Sequence, residues 1–246
     1  MPVRSSGLAL LAVAGIAVAL TACSSSGTGK ADASATAVAT PGSSTSPSTA
    51  ASTSAATTAA AIPAGYHRVG GPAQGISLAM PKSWVSVNLA KQTIDSAANQ
   101  LDVPGVNAAV LEQDMQALQK DHAIFAFDVA SATSTPDHFT RNLNAYCAPS
   151  GITDSGGADI PYLKQAIKSG YSTMATDITQ RDVTIGGVPG IETSDKLKTG
   201  NGEDVQESQL EVLPKPNVAC YVTLSYSSPQ TPGNYLAVAA ATAQFP

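Results

Sequence analysis

The stretch "RDVTIGGVPGIETSDKL", residues 181–197, decides the fold of this chain. Its two halves are rich in β-branched residues, and they flank the dipeptide Gly186-Gly187, which is typical of a tight hairpin turn. Two more strand patterns follow, "VQESQLEVL" and "VACYVTLSY". The sequence therefore predicts a run of antiparallel strands through the last third of the chain.

Four earlier segments also have the pattern of strands. In one of them, residues 122–130, the side chains of Phe125, Phe127 and Val129 alternate onto one face, as expected for a half-buried strand. The four segments are residues 75–80, 84–87, 122–130 and 139–148.

Helical spacing, with apolar residues three or four positions apart, occurs in four segments. The clearest is 159–178, in which Leu163, Ile167 and Tyr171 share one face. Because helices bracket the strands, the sequence predicts an α+β fold with a central, mainly antiparallel sheet covered by helices. The other helical segments are 92–101, 101–120 and 235–245.

The charge of the chain argues against a nucleic-acid partner. It has 246 residues, with 13 Lys plus Arg against 18 Asp plus Glu, and a formal net charge of −5. Such a composition offers no basic stripe that would neutralise a phosphate backbone. The folded part, residues 63–246, has the length of one domain.

The N-terminal segment has the organisation of a secretion signal. Arg4 precedes an apolar run, residues 8–20, which is too short to span a bilayer comfortably. The run ends in "LTAC", Leu20 to Cys23, which resembles the lipobox of bacterial lipoproteins. The resemblance implies that residues 1–22 are removed and that lipid on Cys23 anchors the protein to the cell membrane, on its extracytoplasmic face. The alternative is an ordinary secretory cleavage site with a chance cysteine.

Residues 23–62 have the composition of a tether. After Cys23 they are mostly Ser, Thr, Ala, Gly and Pro, with Lys30 and Asp32 as the charged residues. Such a segment buries too little apolar surface to offset its chain entropy, so we expect it to be disordered. The tether would hold the folded domain away from the membrane surface.

Three short stretches carry a resemblance to a known family. "GISLAMPKSW", "VTIGGVPGIE" and "YVTLSYSS" resemble elements of actinobacterial lipoproteins of the LpqN/LpqT type. The domain of that family is a PsbP-like α/β/α sandwich, so the resemblance implies this fold for residues 63–246. It also implies a lipoprotein address, and it supplies no catalytic residues.

Cys147 and Cys220 remain once Cys23 is assigned to lipid. An even pair of cysteines outside the cytoplasm usually forms a disulfide. Both lie on the core-facing side of predicted strands, so we expect a bridge across the sheet. Two alternatives stay open: a pair of buried free thiols, or one reactive nucleophile near a histidine.

Candidate catalytic and metal-binding groups are few. Of the three histidines, His67, His122 and His138, none stands in a zinc-binding motif, and G-x-S-x-G, C-x-x-C and EF-hand patterns do not occur. Carboxylates are too few on any predicted strand to favour the paired acids of glycoside cleavage. Trp84 is more typical of a core aromatic than of a ligand cleft. We therefore assign no catalytic residue, metal or cofactor.

These observations favour a non-catalytic binding module for an envelope protein, lipid or glycan, held at the membrane through lipid on Cys23. The alternative is an envelope hydrolase that acts on lipid or peptide esters. An enzyme would bring histidine, acid and nucleophile groups together in a cleft, whereas a binding module would present a groove or patch without them.

Cys23→Ala removes the thiol that would carry the lipid. We expect the variant to appear in the medium, or to remain as unprocessed precursor, because the acyl chains that hold the protein on the bilayer are absent. Intact mass of the membrane and medium fractions measures this. Membrane-bound variant of mature size would contradict the lipobox assignment.

Overall fold

In the computed structural model of the protein, the described residues are 60–88, 116, 119–134, 139–152, 160–172, 175–198 and 204–246. They form nine strands and three α-helical segments, and none of these helices has the length and apolarity to cross a membrane. The strands are β1 (Tyr66–Gly71), β2 (Ile76–Pro81), β3 (Val85–Asn88), β4 (Ile124–Phe127), β5 (Asn142–Pro149), β6 (Ala175–Ile185), β7 (Val188–Lys198), β8 (Asp204–Lys215) and β9 (Val218–Ser227). The helices are α1 (Ser131–Ser134), α2 (Ile160–Tyr171) and α3 (Tyr235–Thr242).

Seven of the described strands form one antiparallel sheet in the order β3-β4-β5-β9-β8-β7-β6. The predicted hairpin lies at one edge of it. β6 ends at Ile185 and β7 begins at Val188, and between them Gly186 and Gly187 have φ angles of 57° and 85°. Positive φ at both central residues is typical of a type I′ turn, whose twist matches that of the strands. The predicted central, mainly antiparallel sheet is confirmed.

One face of the sheet is covered by the β1–β2 hairpin and by α3, and we name it the hairpin face. Ile76 and Leu78 of β2 are buried in the same apolar cluster as Leu236 and Ala239 of α3. Each fully buried aliphatic side chain of this kind stabilises the fold by about 1.5–3 kcal/mol. The hairpin face therefore supplies a large part of the apolar core.

The opposite face is covered by α2, and we name it the α2 face. Leu163, Ile167 and Tyr171, the stripe predicted from the sequence, are buried against the sheet. Phe125 and Phe127 of β4 belong to the same cluster, with ring centroids 4.6 Å apart. With helices on both faces of the sheet, the fold is α+β in three layers, as expected for an α/β/α sandwich.

The helix predicted over residues 159–178 is shorter than expected. It ends at Tyr171, and Ile178 lies in β6 beside the β-branched Thr179. Such residues fit a pleated strand better than a helix, and pairing with β7 gives this segment its backbone hydrogen bonds. An apolar spacing that continues past the helix end makes two elements look like one in the sequence.

Two β-pairings near the ends of the domain are not predicted from the sequence. β1 pairs with β2, and its segment "YHRVGG" lacks a clear apolar alternation because its side chains are mostly half-buried. The helix predicted over 235–245 ends at Thr242, since the backbone of Gln244 exchanges hydrogen bonds of 2.8 and 2.9 Å with that of Ser77. The helices predicted over 92–101 and 101–120 fall outside the described residues except at 116, 119 and 120.

Cys147 and Cys220 are joined in a disulfide, and the predicted bridge is confirmed. The two residues are direct partners on the neighbouring strands β5 and β9, with Cα atoms 4.0 Å apart. The bond therefore links two adjacent strands of one sheet. Both cysteines belong to the apolar cluster of the hairpin face. The bridge spans a sequence separation of 73 residues.

Cys147→Ser removes this bond. Under oxidising conditions we expect a lower melting temperature, with a loss of up to about 4 kcal/mol in the free energy of unfolding, because the unfolded chain regains the freedom of a long loop. A reductant should lower the melting temperature of the wild-type protein and leave that of the variant unchanged. The Cys23→Ala variant keeps the bridge and is the control. A reductant effect that persists in Cys147→Ser would contradict this pairing.

Candidate functional site

Alternate residues of β8 direct a polar stripe toward α2. Side chains two positions apart in a strand lie on the same face, so Glu207, Gln209 and Glu211 share a face with Leu213. Leu213 belongs to the core cluster under α2. The two carboxyl groups and the amide between them therefore point into the interior of the α2 face instead of into solvent.

Strand register arranges the polar side chains of the α2 face in three rows that run across β5, β9, β8 and β7. Residues opposite one another on antiparallel strands have Cβ atoms about 5 Å apart. Rows two residues apart along a strand are separated by roughly 7 Å. The acid row consists of Asn142, Ser225, Glu207 and Asp195; the amide row of Asn144, Thr223, Gln209 and Thr193; and the tyrosine row of Tyr146, Tyr221 and Glu211.

The carboxyl groups of these rows are buried. Asp195, Glu207 and Glu211 have exposures of 4%, 1% and 3%. All four carboxyl oxygens of Asp195 and Glu207 lack a hydrogen-bond partner among the described residues. Burial raises the pKa of Asp195 to about 7 and that of Glu211 to about 8. Burial also raises the pKa of Glu207 well above its ordinary value, and the nearby Asp195 and Glu211 add to this effect.

Two buried asparagines on β5 also have polar atoms without a hydrogen-bond partner among the described residues. Asn144 is 1% exposed, and neither its Nδ2 nor its Oδ1 has a hydrogen-bond partner in the described part of the chain. Asn142 donates from Nδ2 to the carbonyl oxygen of Thr140 at 3.2 Å, but its Oδ1 has no partner within the same residues. A buried polar atom left without a partner costs about 1–3 kcal/mol. These amides are therefore suited to polar atoms from outside the chain.

Gln209, in the middle of the amide row, forms hydrogen bonds through both its oxygen and its nitrogen. Its Oε1 accepts from the Tyr171 hydroxyl of α2 at 3.1 Å, and its Nε2 donates to the Thr223 hydroxyl at 2.8 Å. The contact with Tyr171 ties α2 to the sheet above the rows. One member of the amide row thus contacts the helix, while Asn144 of the same row has donor and acceptor atoms that no described residue bonds.

The tyrosine row places aromatic rings beside a carboxyl group. The ring centroids of Tyr146 and Tyr221 are 5.2 Å apart, with an interplanar angle of 30°, and both side chains are buried. Glu211 is the direct cross-strand partner of Tyr221. Burial raises the pKa of both phenols, so they are neutral at physiological pH.

The cysteines and tryptophan singled out from the sequence lie away from these rows. The disulfide of Cys147 and Cys220 is on the hairpin face, on the other side of the sheet. Trp84 is buried in the same cluster, with its ring centroid 4.8 Å from that of a tyrosine of α3, as expected for a core aromatic. Cys23 and His138 fall outside the described residues.

The two described histidines do not come together. His67 is half-buried in β1, and His122 is exposed in the turn before β4. In the described residues, no group of three His, Cys, Asp or Glu side chains is placed to hold a metal ion. The three carboxyl groups of the rows are too far apart to bind one metal ion together. Glu207 and Glu211 are four residues apart on β8, so their Cα atoms are about 13 Å apart.

The prediction that no strand carries enough carboxylates for a pair of acids is wrong. β8 carries Glu207 and Glu211 on one face, and β7 adds Asp195 directly opposite Glu207. In the sequence, the alternating polar residues of "VQESQLEVL" have the pattern of a solvent-facing strand. The signal for burial lies elsewhere, in the apolar stripe of α2, which has to pack on some face of the sheet.

No protein-family model matches the chain, and no curated protein matches it. Among solved structures, the chain is similar to a protein from Bacteroides thetaiotaomicron VPI-5482, at 11% identity and a TM-score of 0.40, over 73% of this chain and 48% of that one. It therefore spans about half the length of that protein. It is also similar to cyanobacterial PsbP (CyanoP) from Synechocystis sp. PCC 6803, at 11% identity and a TM-score of 0.39, over 74% of this chain and 94% of that one. The resemblance to the LpqN/LpqT type stays a prediction.

Glu207→Gln replaces a buried acid with a neutral amide of nearly the same size. In the unfolded wild-type chain, carboxyl groups lose their protons near pH 4. Burial raises the pKa of Asp195 to about 7, that of Glu211 to about 8 and that of Glu207 well above its ordinary value, so the free energy of unfolding falls as pH rises above 4. The substitution removes the contribution of Glu207 to this fall. We expect the variant to match the wild type at pH 4 and to exceed its stability at pH 8 by about 1–3 kcal/mol.

Urea unfolding of the dialysed proteins between pH 4 and pH 8 measures this difference. Glu192→Gln is the matched control, because Glu192 lies on β7 and pairs with Arg181 at 2.6 Å on the hairpin face. The control should keep the wild-type dependence on pH. Equal pH dependence of Glu207→Gln and the wild-type protein would contradict the burial of this carboxyl group.

Proposed function

We propose that this chain is a lipid-anchored lipoprotein on the extracytoplasmic face of the cell membrane, and that its domain, residues 63–246, is a non-catalytic binding module. The lipobox from Leu20 to Cys23 supports the anchor. The disulfide of Cys147 and Cys220 supports an oxidising compartment. The tether over residues 23–62 would let the domain reach molecules near the membrane surface.

Asn144 is the observation that carries the binding function. Its amide is buried, and none of the described residues bonds to either of its polar atoms. Buried polar groups in native proteins are nearly always paired with protein, water or a ligand. Asn142 and the acid row offer further polar atoms on the same face, so one ligand group bound beneath α2 would meet several partners at once.

The buried position of the rows favours an envelope lipid or glycan over an envelope protein. Asp195, Glu207 and Asn144 lie beneath the surface of the domain, where a head group or a single sugar residue fits better than the surface of another protein. A protein partner would need exposed apolar or polar area on the outside of the fold. Reaching the rows would require α2 to move relative to the sheet.

One observation favours hydrolysis as a second candidate function. Asp195 and Glu207 are opposed carboxyl groups on neighbouring strands, and a retaining glycoside hydrolase uses two such groups about 5 Å apart. The bond cleaved would be glycosidic, unlike the lipid or peptide esters expected from the sequence. Ester cleavage by Ser225 would need a base beside it, and burial raises the pKa of the neighbouring Glu207 well above its ordinary value, which disfavours the ionised form that a base requires.

Native mass spectrometry of the full-length protein, extracted from membranes, tests the binding proposal. We expect the wild type to carry a noncovalent small molecule in addition to the lipid on Cys23. Asn144→Leu, which replaces the amide by an apolar group of similar size, should lower the occupancy at least tenfold. Gln165→Leu, on the exposed side of α2, is the matched control and should retain the molecule.

Two outcomes would contradict the proposal. The first is a wild-type protein whose native mass equals that of the lipidated polypeptide alone. The second is turnover: release of sugar from isolated cell envelopes by the wild type, and its absence with Glu207→Gln, would replace binding by glycoside hydrolysis.

A further inference from the structure

We propose that the ligand group bound in the three rows is a positively charged amine nitrogen, and that an extended aliphatic polyamine is the class of ligand that fits them best. The inference rests on the proposed function, a small molecule bound on the α2 face, and it puts an amine in the place of the envelope lipid or glycan. Three features carry it: the sign of the charges, their spacing, and the aromatic rings beside them.

The ionisable side chains on the α2 face of β7 and β8 are acidic. They face hydroxyl, amide and aromatic groups from β5 and β9, so a cation brought by a ligand would be their counter-charge. Of the two lysines of α2, Lys164 pairs with Asp182 at 2.7 Å and Lys168 is exposed. Among the described residues, the titratable groups that surround the rows are Asp195, Glu207, Glu211, Tyr146, Tyr221, Tyr171 and Asp121.

The carboxyl groups form two separate centres. Asp195 and Glu207 stand opposite each other at one end, and Glu211 stands at the other, about 13 Å away along β8 by its Cα atom. A compact divalent metal ion needs oxygen ligands within about 2.0–2.6 Å and does not reach both centres. A flexible chain with ammonium groups separated by methylene runs does reach both.

The unpartnered amides and the tyrosine rings complete the match to an amine. The Oδ1 atoms of Asn142 and Asn144 accept hydrogen bonds from ammonium N–H groups, which have donors and no acceptor. Near Glu211, the paired rings of Tyr146 and Tyr221 offer aromatic faces that attract a cation.

A neutral polyol satisfies the amides but leaves the carboxyl groups protonated. A cation instead favours their ionised form, so its binding expels protons. The two classes therefore differ in an observable way, since amine binding should strengthen as pH rises and polyol binding should not. This difference does not depend on knowing the natural ligand.

Isothermal titration calorimetry of the full-length protein with spermidine tests the inference. The protein is first dialysed at pH 4, which protonates the carboxyl groups and releases a bound cation, and is then returned to pH 7. Titration in two buffers with different ionisation enthalpies counts the protons released. We expect one spermidine per chain, release of at least one proton at pH 7, and at least tenfold tighter binding at pH 8 than at pH 5.

Two variants make the experiment specific. Glu211→Gln should weaken spermidine binding at least tenfold. Asp177→Asn, which removes the same charge from an exposed position of β6, should change binding by less than twofold. Asp177 has a φ angle of 56°, which asparagine tolerates, so the control keeps its fold.

Several outcomes would overturn the amine assignment. They are binding of sorbitol or Ca²⁺ in place of spermidine, equal loss of spermidine in both variants, and the absence of spermidine binding. If the Asn144-dependent molecule is still present in native mass spectra under any of these outcomes, the proposed binding function stands and only the amine class falls. If that molecule is absent as well, both fall.

Discussion

The hydrogen bond from the Tyr171 hydroxyl to Oε1 of Gln209, 3.1 Å long, ties α2 to β8, and the chemistry of the α2 face depends on it. Gln209 lies between Glu207 and Glu211 on β8. Its hydrogen bond to Tyr171 therefore keeps α2 close to both carboxyl groups. The apolar side chains of Leu163 and Ile167 exclude water around them. Burial of the acids, and the rise in their pKa values, follow from this packing.

The two faces of the sheet have different physical roles. On the hairpin face, aliphatic side chains and the disulfide of Cys147 and Cys220 provide stability. On the α2 face, buried acids and amides without partners among the described residues reduce stability. Proteins commonly accept such a local cost where a site has to be ready for a ligand. The stability that the hairpin face provides offsets the cost of the buried polar groups on the α2 face.

Local patterns in the sequence predict the elements that alternation and turn chemistry specify. The paired glycines at 186 and 187 fix the β6–β7 turn, and the stripe of α2 is correct up to Tyr171. Elements specified by tertiary pairing are missed. β1 forms because it pairs with β2. Residues 175–178 are extended because β6 pairs with β7, although their apolar spacing is typical of a helix.

The candidate site lies further beyond sequence reasoning than the fold. Period-two polarity in β8 is the same for a solvated face and for a buried polar one, and only the position of α2 separates them. Asp195 joins Glu207 through the register of two strands, so the sequence distance between them gives no indication of a pair. The disulfide was accessible from the sequence because two cysteines have one way to pair, although the sequence did not indicate that they are neighbours within one sheet.

We propose a lipid-anchored domain with a buried acidic site on one face of its sheet. The site depends on Asp195, Glu207 and Glu211 being held in a water-poor interior. A ¹³C NMR titration of the side-chain carboxyl carbons in the dialysed protein measures it directly. We expect Asp195 to titrate near pH 7 and Glu211 near pH 8, and the pKa of Glu207 to lie well above its ordinary value because of burial. Titration of all three near pH 4, the ordinary value of a solvated carboxyl group, would contradict it.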